Sequence, residues 1–155
     1  MRDLLLCVDG SPASTAATRM ALQLAHELHA DLHAIIVIED SGLAALVDQA
    51  LDGHGAQERL AEAGEALRMR VDTMAADAGI TIDWIVEHGE PFDRILERAH
   101  GIRPLFIIMG RTGRRGPGRA LVGSQVEHTL EFTEWPVVVV PAPPEDARDD
   151  APIAR

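Results

Sequence analysis

The chain has 155 residues, a length that suits one domain with a core of its own. Its formal net charge of −11 argues against nucleic acid as a partner, because phosphate backbones attract basic surfaces. All 14 basic residues are arginine, which excludes mechanisms that need a lysine: the phosphate-loop lysine, Schiff bases and lysine-borne cofactors.

The first element is the apolar run Leu4–Asp9, read as a buried strand. Its one cysteine, Cys7, has no partner for an internal disulfide and reads as a buried thiol in a reducing compartment. The N-terminal apolar stretch is too short for a signal peptide, and no segment reaches the length of a membrane span. A soluble, cytoplasmic protein is expected. Ser11 suits an N-cap and Pro12 the first helical position, so a helix is predicted over 12–29, with Ala17, Met20, Ala21, Leu24 and Leu28 at helical spacing. "ADLHAIIVIED" is the second strand. Residues 41–55 read as a loop that could hold a short helix. A long helix follows over 56–78, capped by Gly79, with Glu58, Glu62 and Glu65 as a solvated face. "ITIDWIVEHG" is the third strand, "EPFDRILERAHG" a short helix and "PLFIIMG" the fourth strand. After a glycine-rich loop, a helix runs from Ser124 to about Glu134, and "WPVVVVP" is the fifth strand. The Pro- and Asp-rich segment 142–155 reads as a disordered tail to a domain over 1–141.

Short apolar strands alternating with helices imply an α/β fold, an open parallel sheet covered by helices on both faces. In such sheets ligands bind beyond the carboxyl ends of strands, at a topological switch point. Two strand ends carry special chemistry here: Asp9-Gly10-Ser11, and the stretch "GRTGRRGPGRALVGS" from Gly110. If strands one and four are neighbours, their loops flank one crevice.

That stretch places Gly110, Gly113, Gly123 and Ser124 between a strand and a helix. Gly110 is expected to let the chain turn as it leaves the sheet, and Gly113 to let backbone approach a ligand. Gly123 and Ser124 would open a helix whose free N–H groups and dipole favour an anion. Arg111, Arg114, Arg115 and Arg119 add guanidinium groups that match phosphate geometry. The bland alternative is a solvated loop with a helix-capping serine. "GRALVGS" falls short of a phosphate loop for want of lysine, and "VDGSPAS" lacks the G-x-G-x-x-G of dinucleotide folds. The loop therefore points to a nucleoside phosphate.

The glycine spacing after "IIMG", the opening "LLLCVDGSPAS", the "HGEP" before the third helix and the ending "WPVVVVP" together resemble the universal stress protein family over residues 2–141. The resemblance implies a five-stranded, Rossmann-like sheet in the order 3-2-1-4-5, usually dimeric. Its G-x2-G-x9-G-S/T motif marks the members that bind ATP. It places Cys7, Val8 and Asp9 beside adenine and ribose, Val37 against the adenine, and Met109 and Gly110 along the ribose. Gly113, Gly123, Ser124 and Gln125 would hold phosphates through backbone N–H groups and the Ser124 hydroxyl, with Arg111 beside them. ADP or AMP could replace ATP, and a divalent ion such as Mg²⁺ would be held mainly by the phosphates. Two departures stand out: Leu105 occupies a position that is often acidic, and the loop is richer in arginine than usual.

Other residues read more simply. Asp9 fits a turn-forming role better than that of a general base. His26, His29 and His33 do not converge with further ligands into a zinc site, and His88 reads as a surface residue at a strand end. Four valines over 137–140, bracketed by Pro136 and Pro141, read as an edge strand able to pair with a second copy of the chain in a homodimer. The leading expectation is an ATP-binding stress-signalling module whose nucleotide occupancy changes contacts with a regulatory partner. The alternatives are a slow ATPase or phosphotransferase, and an interaction module that binds no nucleotide.

Overall fold

The computed structural model describes residues 2–39, 55–112 and 122–144. Nine elements alternate along it: β1 (Asp3–Cys7), α1 (Pro12–Leu28), β2 (Asp31–Ile38), α2 (Gly55–Asp77), β3 (Ile82–His88), α3 (Pro91–Ile102), β4 (Phe106–Gly110), α4 (Ser124–Phe132) and β5 (Val137–Val140). Of the predicted loop 41–55, residues 41–54 lie outside the described residues and Gly55 opens α2; of the tail 142–155, residues 145–155 lie outside them.

The strands form one sheet in the order β3-β2-β1-β4-β5. Every pairing is parallel, with Leu6 of β1 level with Ala34 of β2 on one side and Ile108 of β4 on the other. The chain first winds outward from β1 to β3, then crosses to β4 and winds the other way. The switch point therefore falls between β1 and β4, as the resemblance to universal stress proteins implies.

Each face of the sheet has its own apolar cluster. Leu4, Leu6, Val8, Ile36 and Ile108 pack against Ala17, Ala21 and Ala25 of α1 and against Val71 and Ala75 of α2. The alanine stripe lets α1 lie close to the strands. Leu5, Ile35, Ile107 and Met109 point the other way, onto Ile95 and Ala99 of α3 and Val126 of α4. The period-two alternation of the strands thus feeds both cores.

Several ends are shorter than the apolar runs suggest, each for a local reason. β1 stops at Cys7 although the Val8 N–H still donates to the Ile35 carbonyl (2.9 Å). α1 ends one residue early because His29 adopts a left-handed conformation (φ 53°). α4 stops at Phe132, where Thr133 is extended and its hydroxyl accepts the Trp135 N–H (3.1 Å). Gly79 (φ 68°) closes α2 as expected, with the Ile80 N–H returning to the Ala75 carbonyl (2.9 Å).

Far from the switch point, His33 of β2 lies between carboxylates from both neighbouring strands. Its Nε2 is 3.0 Å from Asp3 and its Nδ1 is 3.0 Å from Asp83. Among the described residues no group of three or more His, Cys, Asp or Glu is placed to hold a metal ion.

Candidate functional site

The turn after β1 is built by short polar side chains. The Asp9 carboxylate accepts the Ser11 N–H (2.9 Å), and the Asp9 N–H donates to the Ser14 hydroxyl (3.1 Å). The Ser11 hydroxyl caps α1 by accepting the Ser14 N–H (3.0 Å). It also donates to the carbonyl of Thr112 (3.2 Å), 101 residues away in the loop after β4. One hydroxyl therefore ties together the two loops that flank the switch point. From the sequence, Ser11 is a helix cap and nothing more. The second bond needs the tertiary fold.

The loop after β4 is anchored at both ends. The Arg111 N–H donates to the Val140 carbonyl (2.7 Å), and the Arg111 carbonyl accepts the Gly123 N–H (2.8 Å). The segment between them thus leaves and returns through a backbone neck. Gly113, Arg114, Arg115 and Arg119 lie within it, outside the described residues. The Arg111 side chain is exposed.

Two readings of the glycines need correction. Gly110 is the last residue of β4, level with Val140, and its φ is not positive, so it makes no sharp turn. Its bareness serves packing instead. A Cβ there would lie 2.7 Å from the backbone of Ala13 and Ser14 in α1, closer than real contacts allow. Gly123 is the N-cap of α4 (φ −71°, ψ 152°), and its own N–H is already bonded to Arg111. The N–H groups left for an anion are those of the following first turn.

Those groups belong to Ser124, Gln125 and Val126, since the first bond within α4 runs from the Glu127 N–H to the Gly123 carbonyl (3.0 Å). Ser124 is exposed. The Gln125 side chain turns away from this turn. Its Oε1 accepts the Phe92 N–H (3.0 Å) and its Nε2 donates to Glu90 (2.9 Å). Glu90 is the N-cap of α3 but makes no side-chain cap of its own. Gln125 therefore supplies the missing cap from a different helix.

The apolar wall of the crevice comes from one side of the sheet. Cys7, Val37 and Met109, near the carboxyl ends of β1, β2 and β4, belong to the cluster beneath α3 and α4. Val8 does not join them. Its side chain is buried in the opposite cluster, so it can offer a ligand only backbone. Burial, and secondarily the Asp9 charge, push the Cys7 thiol well above its ordinary value. It is an inert, protonated wall residue. His88 is exposed at the end of edge strand β3, level with Ile38 of β2, with β2 and β1 both between it and β4.

The structure thus brings Cys7, Asp9, Val37, Met109, Gly110 and the first turn of α4 to one end of the sheet. An apolar wall stands beside helix N–H groups that no described residue bonds, a combination suited to a flat apolar group linked to an anion. Sequence reading missed Ser11, Ser14, Glu90 and the Gln125 side chain as parts of this frame. The Ser-x-x-Ser after β1 was a legible capping signal. Nothing in the sequence announces the bond from Gln125 to Phe92.

Comparison with known proteins agrees with the fold and extends it. The chain is 31% identical over 142 residues to the universal stress protein MJ0531 of Methanocaldococcus jannaschii, covering 92% of this chain and 83% of that protein. Its structure resembles that of the universal stress protein UspA from Lactobacillus plantarum, with a TM-score of 0.73, 27% identity, and 90% and 97% of the two chains covered. It also shares its fold with the universal stress protein from Archaeoglobus fulgidus solved in complex with dAMP, with a TM-score of 0.65, 17% identity, and 90% and 97% covered. The sequence model of the universal stress protein family matches residues 1–141, and the chain belongs to that family.

Proposed function

We propose that this protein binds an adenine nucleotide, ATP in preference, at the crevice between β1 and β4, and that occupancy changes its contacts with a regulatory partner. The observation that carries the reading is the first turn of α4. It presents N–H groups that no described residue bonds beside the apolar wall of Cys7, Val37 and Met109, at the switch point of the sheet. A relative of the same fold, from Archaeoglobus fulgidus, is described in complex with dAMP. In this chain the adenine would lie against Val37 and Cys7, the ribose by Asp9, Met109 and Gly110, and the phosphates at Gly123, Ser124 and Gln125. Arg111 and Gly113 would complete the phosphate side. A divalent ion would take its ligands from the phosphates, since the described residues offer no cluster for it.

The loops after β1 and β4 already share the Ser11–Thr112 bond. A nucleotide spanning them would contact the arginine-rich stretch between the two ends of the neck, whose residues 113–121 lie outside the described residues. A partner that distinguishes the occupied from the empty surface would then read occupancy as affinity. The protein would act in the cytoplasm as a homodimer paired along β5. Among the described residues, no helix is long and apolar enough to cross a membrane.

The test is to unfold the purified protein, identify any released nucleotide, and then titrate ATP and Mg²⁺ into nucleotide-free material while following thermal unfolding. At ATP a hundredfold above its dissociation constant, linkage adds about 2.7 kcal/mol of stability. The added stability should vanish in Gly123→Val, whose backbone angles a valine tolerates but whose side chain stands at the mouth of the α4 turn. No released nucleotide together with no ATP-dependent shift overturns the reading.

A further inference from the structure

We infer that Gln125 is a positioning residue, a latch that locks the N-termini of α3 and α4 together so that the first turn of α4 faces the crevice in place before a ligand arrives. The inference rests on the nucleotide reading above and deepens it. α3 and α4 lie on the same face of the sheet, and the cluster beneath them holds Met109, Val126, Ile95 and Ala99. Their N-termini both open at the carboxyl end of the strands, on either side of the line between β1 and β4. Left alone, each would present orphan N–H groups and a positive dipole end. Two such ends side by side repel each other and compete for one anion.

Gln125 resolves that competition with one amide. Its Oε1 accepts the Phe92 N–H (3.0 Å), so one first-turn donor of α3 is satisfied from within the fold. Its Nε2 holds the Glu90 carboxylate (2.9 Å), which brings a negative charge to the α3 terminus. The α4 terminus carries Glu127 in its first turn but has no side-chain cap at Gly123, and among the described residues nothing bonds the N–H groups of Ser124, Gln125 and Val126. The latch thus ties the first turn of α4 to the start of α3 and fixes the angle between the two helix ends. The contact of Phe92 with His128 and with Phe132 (ring centroids 5.0 and 6.4 Å) packs the same pair of helices further along, so the amide works at the mouth of a seam that is already joined.

The consequence is specific to phosphate. Loss of the latch leaves the apolar wall unchanged and loosens only the α4 turn. The experiment measures ATP and adenosine affinity by titration calorimetry on the full-length wild-type chain and on Gln125→Met, which keeps length and loses both hydrogen bonds. The expected result is a fall of about tenfold for ATP with adenosine affinity retained. Exchange of the Phe92 amide, followed by NMR without nucleotide, should quicken in the same variant. If Gln125→Met does not fold, Glu90→Ala on the exposed arm of the latch replaces it, with a loss of about threefold for ATP alone. Undiminished ATP affinity overturns the inference, and so does an equal fall for ATP and adenosine, which marks a general structural role. Failure of the nucleotide reading is seen separately, as a wild type that binds neither compound while its Phe92 amide stays protected, and the positioning role falls with it.

Discussion

Asp9 and Cys7 sit two residues apart at the end of one strand, and their neighbours give them opposite characters. Asp9 spends its carboxylate on the Ser11 N–H and its own N–H on Ser14, so it builds the turn that ends β1. Cys7 has no such partner. Burial and the nearby Asp9 charge raise its thiol above an ordinary value of 9.0. The folded chain therefore keeps a proton that the unfolded chain releases in alkali. This contribution to stability is fully present below about pH 9 and is lost as pH rises beyond that. Two outcomes are expected. A thiolate-dependent labelling reagent at about pH 8 should react slowly with the native protein and at once in denaturant. The unfolding free energy from urea titrations should decline above about pH 9, and the decline should be absent in Cys7→Ala. Fast native labelling would refute the buried, protonated thiol.

Between elements, the tightest constraint is the approach of α1 to β4. Ala13, Ala17 and Ala21 bring the helix down onto the sheet, and Gly110 lets its first turn touch the strand. In Gly110→Ala the added methyl would meet backbone atoms, which cannot rotate away. Overpacking of this kind costs about 1–3 kcal/mol. It also pushes apart the two loops joined by Ser11 and Thr112. The expected outcome is a loss of stability in that range by denaturant titration, together with weaker ATP binding. A variant of wild-type stability would show that α1 can yield. The sequence makes Gly110 conspicuous, but for a turn. Its real reason lies in a contact with residues almost a hundred positions earlier, which no local pattern reports.

At the scale of the whole molecule, the sheet has an open edge at β5. The Ile107 and Arg111 N–H groups donate to the carbonyls of Pro136 and Val140, so alternate residues of β5 face β4. In a parallel ladder the N–H and carbonyl groups of Val137 and Val139 then point outward. Pairing of two such edges about a two-fold axis is the dimer proposed here. Val139→Pro removes an outward donor and leaves the bonds to β4 intact, since proline is tolerated on edges. By light scattering the wild type is expected to be dimeric and this variant monomeric, with unchanged far-ultraviolet circular dichroism. A variant that remains dimeric would place the interface elsewhere.

The sequence by itself determined the class of fold, the number and order of the described strands and helices, and the glycine-rich loop between β4 and α4. These follow from local physics: apolar runs of strand length, helical spacing of alanine and leucine, and caps such as Ser11 and Gly79, each legible within a few residues. The order 3-2-1-4-5 came from resemblance to a family, since alternation alone does not say where β4 lies. Only the tertiary structure decided why Gly110 must be glycine, that the Gly123 N–H is already engaged, that Val8 faces the other core, and that Gln125 caps α3. Each of these depends on a meeting of segments far apart in the chain. Close packing and the pairing of buried donors choose such partners by geometry, and sequence spacing carries no record of the choice.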